Sequence, residues 1–435
     1  MTPRGTEKDD RFSIPADSAG DTFEPATLTP DLIRERYGIT DPDAVAVVTR
    51  SHDFAAGELR ARAAHHDRTE EIAWDLLSRA SAAGIYHPEF FMQMSFDRTG
   101  LLAPAIAEEM AWGDPGLGLL LMYPALPLVA LATSGTPEQL LTWMPRLFGT
   151  ADDPKLACFV ASEPNAGSDV AAISTTARHD GDAWVLNGVK RWGGNAGIAD
   201  VHLVVATVDA SLGARGQAIF IVPRSEVNGM TAGPRFHKLG LRATWQADLF
   251  LDDVRIPLDN VLGGPDRLLR RLDRARSGEH QRNQQAMRTF EGTRPLIAAM
   301  AVGTARAAHE WTLTYAQRRH VFGKSIAAHQ EVGFTLARQR TRIDAARLLV
   351  QRASSMMVNG SPMDSAEGSQ AKLFAADVAA EVTSECVGIL GGIGFTDATP
   401  VERWYRDAPI YNIYEGTRNI NQLVIARAIT GIRPE

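Results

Sequence analysis

Glu415 stands between an apolar-aromatic run, Ile410-Tyr411-Asn412-Ile413-Tyr414, and the sequence Gly416-Thr417-Arg418-Asn419. Apolar neighbours strip water from a carboxylate, raise its pKa and make it a better base near neutral pH. Gly416 leaves room for a small molecule, and the backbone N–H groups around it are free to donate. The same residue also reads as an acid at a helix N-terminus, favoured there by the macrodipole. From the residue alone the two readings are even.

Three further segments carry polar groups in suggestive settings. In Phe159-Val160-Ala161-Ser162-Glu163-Pro164-Asn165-Ala166-Gly167-Ser168-Asp169, a strand delivers the Ser162 hydroxyl and a tight turn exposes backbone N–H groups beside Ser168. A flavin ring edge or a phosphate needs such donors, although a Ser-capped surface turn is the plainer reading. Asn187-Gly188 is a hairpin signal leading into a strand with Trp192, Gly193 and Gly194. A strand Trp is more often core than the wall of a ligand site, while paired glycines let backbone approach a flat ligand. Arg319-His320-Val321-Phe322-Gly323-Lys324, followed by Gln330, sits between two helical patterns. Its Arg suits phosphate oxygens or is simply an exposed helix-end residue.

The elements that must position these residues fall in the order α, β, α. Residues 1–30 read as a flexible arm, 31–154 as a helical domain, 155–264 as an antiparallel β domain and 265–435 as a helical domain. Thr29-Pro30-Asp31 starts the first helix, and Thr136-Pro137-Glu138-Gln139 is a capping box. Short apolar runs from Leu156 to Ile256, with turns at Asp180-Gly181-Asp182 and Asn228-Gly229, describe the strands. Helical patterns return from Arg294 to about Arg319, Gln330 to Met357, Asp364 to Leu390 and Asn419 to Ile429.

Bulk properties exclude several classes. A net charge of −7 leaves no electrostatic footprint for nucleic acid. Cys158 and Cys386 are the only cysteines, too few for a disulfide framework or a cysteine zinc cluster. No metal site is expected. The polar N-terminus lacks the apolar core of a signal peptide. Leu119–Ala132, the longest apolar stretch, is broken by Pro124 and Pro127 and looks too short to span a bilayer. The expectation is a cytoplasmic protein without a membrane span.

Taken together, the four segments resemble the acyl-CoA dehydrogenase family over roughly Leu32 to Arg427. The specific motifs are Ser162 to Asp169 and Arg406-Asp407 followed by Ile413 to Thr417, supported by Leu390 to Phe395 and Pro400 to Arg403. The resemblance implies an α+β fold: an N-terminal α-helical domain, a middle β-barrel domain and a C-terminal four-helix bundle. It implies FAD-dependent dehydrogenation of an acyl thioester to the trans-2-enoyl product, with Glu415 as the α-proton base. It also implies a homo-oligomer, dimer or tetramer, and electron-transfer flavoprotein as electron acceptor. The carrier, CoA or acyl-carrier protein, stays open.

By that resemblance Phe159, Ala161 and Ser162 line the flavin, Ser168 reaches the pyrophosphate or the thioester ligand, and Trp192 packs on the isoalloxazine beside Gly194. Arg319, Phe322 and Gln330 reach FAD from a neighbouring subunit, with backbone from Gly388 to Gly392. Thr417 and Asn419 close the site. Tyr414 and Gly416 border the substrate, and Glu291 and Arg294 match the family's acyl-CoA contacts; Arg294 is equally suited to be a buried structural partner for a carboxylate. Some relatives carry the base at the position of Thr293, which cannot serve here, so Glu415 stands alone.

Several positions depart from the family pattern. Ser162, Gly194 and Val321 occupy frequent threonine positions, and Gly388 replaces a common glutamine. The Arg267–Arg282 stretch is long, and reads as a lid, a phosphate-binding element or, in preference, a solvated helical insertion. Two other functions compete: a flavin oxidase or monooxygenase on the same fold, and a non-catalytic partner subunit. Retention of Glu415 argues against both.

Overall fold

The computed structural model describes residues 27–278, 285–359 and 366–432, with no side-chain description for 285–291. The first nine helices are α1 (Pro30–Tyr37), α2 (Pro42–Phe54), α3 (Arg60–Thr69), α4 (Trp74–Ala82), α5 (Pro88–Phe96), α6 (Leu102–Gly113), α7 (Pro115–Met122), α8 (Ala125–Ser134) and α9 (Pro137–Trp143). Five of them (α1, α2, α5, α7 and α9) start with Pro in the first turn, behind a capping side chain from Thr29, Asp41, His87, Asp114 or Thr136. Proline fixes φ and lacks an N–H that would be unpaired there in any case. The capping box at Thr136 and Gln139 forms as the sequence predicts. Order reaches further toward the N-terminus than the expected arm, since Leu28 is buried and Thr29 caps α1.

Among the described residues, the stretch Pro115–Ser134, in which a turn at Tyr123-Pro124 separates α7 from α8, is long and apolar enough to cross a membrane by length and composition alone. It is mostly buried inside the protein. Its apolar length serves the core.

The middle unit is a curled seven-stranded sheet in the order β1-β4-β2-β3-β7-β6, with β5 also on β4. The strands are β1 (Ala157–Val160), β2 (Thr176–Asp180), β3 (Ala183–Gly194), β4 (Val201–Thr207), β5 (Gln217–Pro223), β6 (Met230–Ala232) and β7 (Gln246–Pro257). Two corrections apply. The sheet is mixed, because β4 runs parallel to β1 and to the end of β2. The hairpin turn is Gly181-Asp182, which joins the Asp180–Ala183 pair, whereas Asn187-Gly188 lies within β3 at a bulge against β7. Asn187 stays there because its amide donates to Asp253 Oδ1 at 3.0 Å and accepts the Asp253 N–H at 2.9 Å.

The Arg-rich stretch forms α10 (Pro265–Arg276), which buries Leu268, Leu272 and Ala275. Arg267 donates to Ser134 O and Arg276 pairs with Asp209. It is therefore an amphipathic helix docked on the β unit, not a free insertion. Residues 279–282 of that stretch lie outside the described residues.

The C-terminal helices are α11 (Gln285–Arg318), α12 (Gln330–Val358), α13 (Glu367–Leu390), α14 (Val401–Asp407) and α15 (Arg418–Thr430), with a short hairpin of β8 (His320–Val321) and β9 (Lys324–Ser325) between α11 and α12. Alanine-rich faces let α11 and α13 approach closely, with Ala298, Ala301, Ala305, Ala308, Ala375 and Ala379 all buried.

A charged cluster locks the N-terminal helices to this bundle. Glu109 on α6 accepts from Arg306 at 2.6 and 2.9 Å, from Tyr37 Oη at 2.5 Å and contacts His52 Nδ1 at 2.8 Å. The adjacent Glu108 accepts from Arg347 at 2.9 and 3.0 Å. Burial opposes the charge on Glu109, but Arg306 and His52 outweigh it and hold the carboxyl well below its ordinary range.

Candidate active site

Glu415 sits where the chain turns from α14, through a short 3₁₀ segment Ala408–Asn412, into α15. Its φ of 55° and the φ of 92° at Gly416 put two successive residues in left-handed backbone. For a glutamate this conformation is strained, and surrounding bonds must hold it. They do so at the carbonyls. Arg294 Nε donates to Glu415 O at 3.5 Å, Lys372 Nζ to Gly416 O at 2.6 Å, and Asn421 Nδ2 to Gly416 O at 2.8 Å and Thr417 O at 3.0 Å. Thr417 then caps α15 through Ile420 N–H. With the carbonyls taken up, the Glu415 backbone N–H has no partner among the described residues.

The carboxylate is shaped by the same neighbours. Burial raises the Glu415 pKa from 4.5 to about 7, against the lowering influence of a hydrogen bond from Thr293 and of the Arg294 and Lys372 charges. Thr293 Oγ1 donates to Glu415 Oε2 at 2.8 Å, which leaves Oε1 as the oxygen open to a proton. Thr293, unable to act as a base, instead orients the Glu415 carboxylate. Beside it the Tyr414 hydroxyl is buried without a hydrogen-bond partner among the described residues. Burial drives that phenol well above its ordinary pKa, with Tyr411, Tyr123 and Glu415 adding to the effect.

A second group lies on the β unit. β1 leads into Ser162, whose carbonyl accepts the Arg191 N–H at 2.9 Å. The following loop is anchored by Glu163, which accepts from Lys190 Nζ at 2.7 Å, Ser174 N at 2.8 Å and Thr175 N at 2.9 Å. The anchor leaves Gly167 and Ser168 exposed and Phe159 and Ala161 buried beneath them. On β3 the register shifts between Lys190 and Gly193, and Trp192 takes a φ of 68°. A bulge of this kind re-aims a side chain: Trp192 is 60% exposed, beside Phe236, and is not core.

The third group stands apart. Arg319, Phe322 and Gln330 are exposed, Phe322 at 92%, and Gly388 and Gly392 border open space. Val321 and Ile389 pack on one small cluster with Ile326 and Leu336, so the β8–β9 hairpin and the end of α13 share one end of the bundle. Gly388 lies sixteen positions beyond Lys372 on α13 (Glu367–Leu390), about 24 Å along the axis. These residues and Glu415 do not meet within one chain.

Of the other expected residues, Arg294 is buried, contacting the Glu415 carbonyl and Ser369 Oγ, which is the arrangement of an internal tether. Asn419 is exposed in the first turn of α15, and its neighbour Asn421 makes the bonds that secure the loop. The side chain of Glu291 lies outside the described residues. Thr293, Lys372 and Asn421 are contributors that sequence reasoning missed. Lys372, 1% exposed within an Ala-rich helix, was the one legible signal, because a buried lysine requires a partner.

Family models for the N-terminal, middle and C-terminal domains of acyl-CoA dehydrogenase match residues 41–150, 158–254 and 283–430. The chain belongs to the acyl-CoA dehydrogenase family. Among curated relatives, the short-chain specific acyl-CoA dehydrogenase of Bos taurus mitochondria is 37% identical over 376 residues, covering 86% of this chain and 87% of the relative. The butyryl-CoA dehydrogenase structure from Megasphaera elsdenii aligns with a TM-score of 0.80 at 30% identity, covering 90% of this chain and 99% of that one. The prolyl acyl carrier protein oxidase AnaB aligns with a TM-score of 0.79 at 27% identity, covering 90% and 100%. As an acyl-CoA dehydrogenase family member the chain is a flavoprotein oxidoreductase with the three-domain fold described above. Its motif residues 162–169 fall within the middle-domain match and Glu415 within the C-terminal match.

Proposed function

We propose that the protein is an FAD-dependent dehydrogenase that takes an acyl thioester, in the first instance an acyl-CoA, to the trans-2-enoyl thioester. The reading rests on one observation above the rest: the Glu415 carboxylate is held on a strained and tethered loop with one oxygen committed to Thr293, and burial pushes its pKa up to about 7. Such a group is half-ionised near neutrality, where a general base works best. Glu415 Oε1 would take the α-proton. The Glu415 N–H, without a partner, would donate to the thioester oxygen as charge develops on it. Bound FAD would supply the two-electron acceptor for the β-hydride. The exposed Trp192 and the Ser162 hydroxyl suit a flat, polar-edged ring, and exposed Ser168 suits its phosphates or the ligand's.

Arg319, Phe322, Gln330, Gly388 and Gly392 lie too far from Glu415 to complete this site in their own chain. They fit a second copy's cofactor, so a homo-oligomer, dimer or tetramer, is part of the proposal. Electron-transfer flavoprotein is the proposed acceptor of the electrons. The likeness to AnaB supports one alternative, an oxidase acting on a carrier-protein thioester. Anaerobic addition of a panel of acyl thioesters on CoA and on carrier protein separates the two. Bleaching of the bound flavin with little peroxide in air is expected. Rapid peroxide formation would favour the oxidase, and failure of every thioester to bleach the flavin would overturn both.

Thr293→Val provides a finer test. The base works deprotonated, so the rate rises as pH passes its pKa. Removing the Thr293 hydroxyl removes a lowering influence and should move the half-maximal pH of flavin reduction upward by about one unit. An unchanged pH profile would show that Thr293 does not tune the base.

A further inference from the structure

The paired glycines on β3 leave a gap, and the structure shows what enters it. A Cβ built on Gly194 would lie 2.2 Å from Tyr123 Cε1, 2.5 Å from Cζ and 2.7 Å from the Tyr123 hydroxyl. The phenol end of Tyr123 therefore occupies the volume that a side chain at 194 would fill. Tyr123 follows α7 directly and is only partly buried. It packs against the same apolar cluster as Tyr414 and lies near enough to influence that phenol. It thus stands between the exposed Trp192 bulge and the Glu415 loop, the two faces a flavin and a thioester would share.

The hydroxyl is oriented from behind. Gln246 Nε2 donates to Tyr123 Oη, and Lys238 Nζ in turn donates to Gln246 Oε1 and to Thr244. This chain fixes which way the Gln246 amide faces, since its oxygen accepts from Lys238 Nζ, a donor whether charged or neutral. Tyr123 Oη then accepts from Gln246 and keeps its own proton to give. Besides Gln246, Thr244 is the side chain that hydrogen-bonds the Tyr123 phenol, and its Oγ1 is already engaged, donating to Leu241 O at 2.7 Å and accepting from Lys238 Nζ at 3.0 Å. A phenol proton beside so crowded an acceptor is open to a better one arriving at the rim of the Gly194 gap.

We propose that Tyr123 is a cofactor-contacting residue, its phenol donating to a ring-edge acceptor of the flavin from the place a side chain at residue 194 would otherwise hold. Lys238 and Gln246 are positioning residues that act through it. The proposal rests on the flavin-binding reading above.

The test uses full-length protein stripped of flavin and titrated with FAD, with affinity read from fluorescence quenching and the ring environment from the visible absorption band. Tyr123→Phe keeps the packing and removes only the hydroxyl. Its FAD affinity should fall by about three- to tenfold, with a shifted absorption band. Gly194→Thr alone should bind FAD poorly, because its Cβ collides with Tyr123. The double variant Tyr123→Ser/Gly194→Thr, which exchanges large for small and returns a hydroxyl to position 194, should recover much of the affinity. That rescue is a coupling that a merely structural Tyr123 would not produce. Unchanged affinity and spectrum in Tyr123→Phe, with normal FAD uptake by the unmodified protein, would overturn this proposal alone. Failure of the unmodified protein to take up FAD would overturn the flavin reading with it.

Discussion

Glu415→Gln should retain FAD and acyl-thioester binding and lose substrate-driven flavin reduction, by on the order of 10⁴-fold in a stopped-flow measurement. The amide matches the carboxylate in size and can still meet the Thr293 hydroxyl, so the loop has no reason to rearrange. What disappears is the basic oxygen. A folded, flavin-loaded variant that still reduces its flavin at the normal rate would remove Glu415 from the mechanism. The same variant carries a second signature that does not depend on activity. The Glu415 carboxyl is raised from 4.5 to about 7 by burial. A raised acid contributes its full stability below its unfolded pKa and loses it as pH rises through the folded one. Glutamine does not titrate. Relative to the parent, Glu415→Gln should therefore gain thermal stability between about pH 4.5 and pH 7 and hold that gain above it. An advantage that grew toward acid instead would mean the carboxylate is not desolvated.

Glu109→Ala should be among the most destabilising single changes in the protein. Glu109 is fully buried, and its carboxylate answers Arg306, His52 and Tyr37 together. Its removal leaves the buried Arg306 guanidinium with the longer ion pairs to Glu108 at 3.3 Å and Glu310 at 3.8 Å, and breaking a buried pair from one side costs about 3–5 kcal/mol. Thermal unfolding should move down by on the order of 10 °C. Glu109→Gln, which keeps acceptors but not charge, should fall in between. A shift of Glu109→Ala within experimental scatter would mean that the cluster does not hold α6 to α11. The effect matters for function because α6 leads into α7, which Tyr123 follows directly.

The order α, β, α was legible because apolar periodicity and proline-led caps are local properties of the chain. Glu415 was legible for a related reason: aromatic residues before it and glycine after it describe its environment without reference to distant segments. The Thr293 contact, across a separation of 122 residues, has no local trace. Neither does the occupant of the gap at Gly194: two glycines announce a space, but only packing shows that a tyrosine from the end of α7 enters it. Asn187-Gly188 misled because the dipeptide suits a turn and a bulge alike, and the choice is made by the Asp253 carboxylate on the opposing strand. For Trp192 the sequence left core and ligand wall as competing readings. A strand tryptophan belongs to the interior on average, and a shift in register sends this one to the surface.

The tethering of three consecutive carbonyls at residues 415–417 bears on the thermodynamics of recognition. Conformational freedom of that segment is surrendered when the chain folds, and a ligand arriving later has little left to freeze. Calorimetry of a non-reactive thioester should then return a heat-capacity change set by the apolar surface it covers, with no added contribution from an ordering loop.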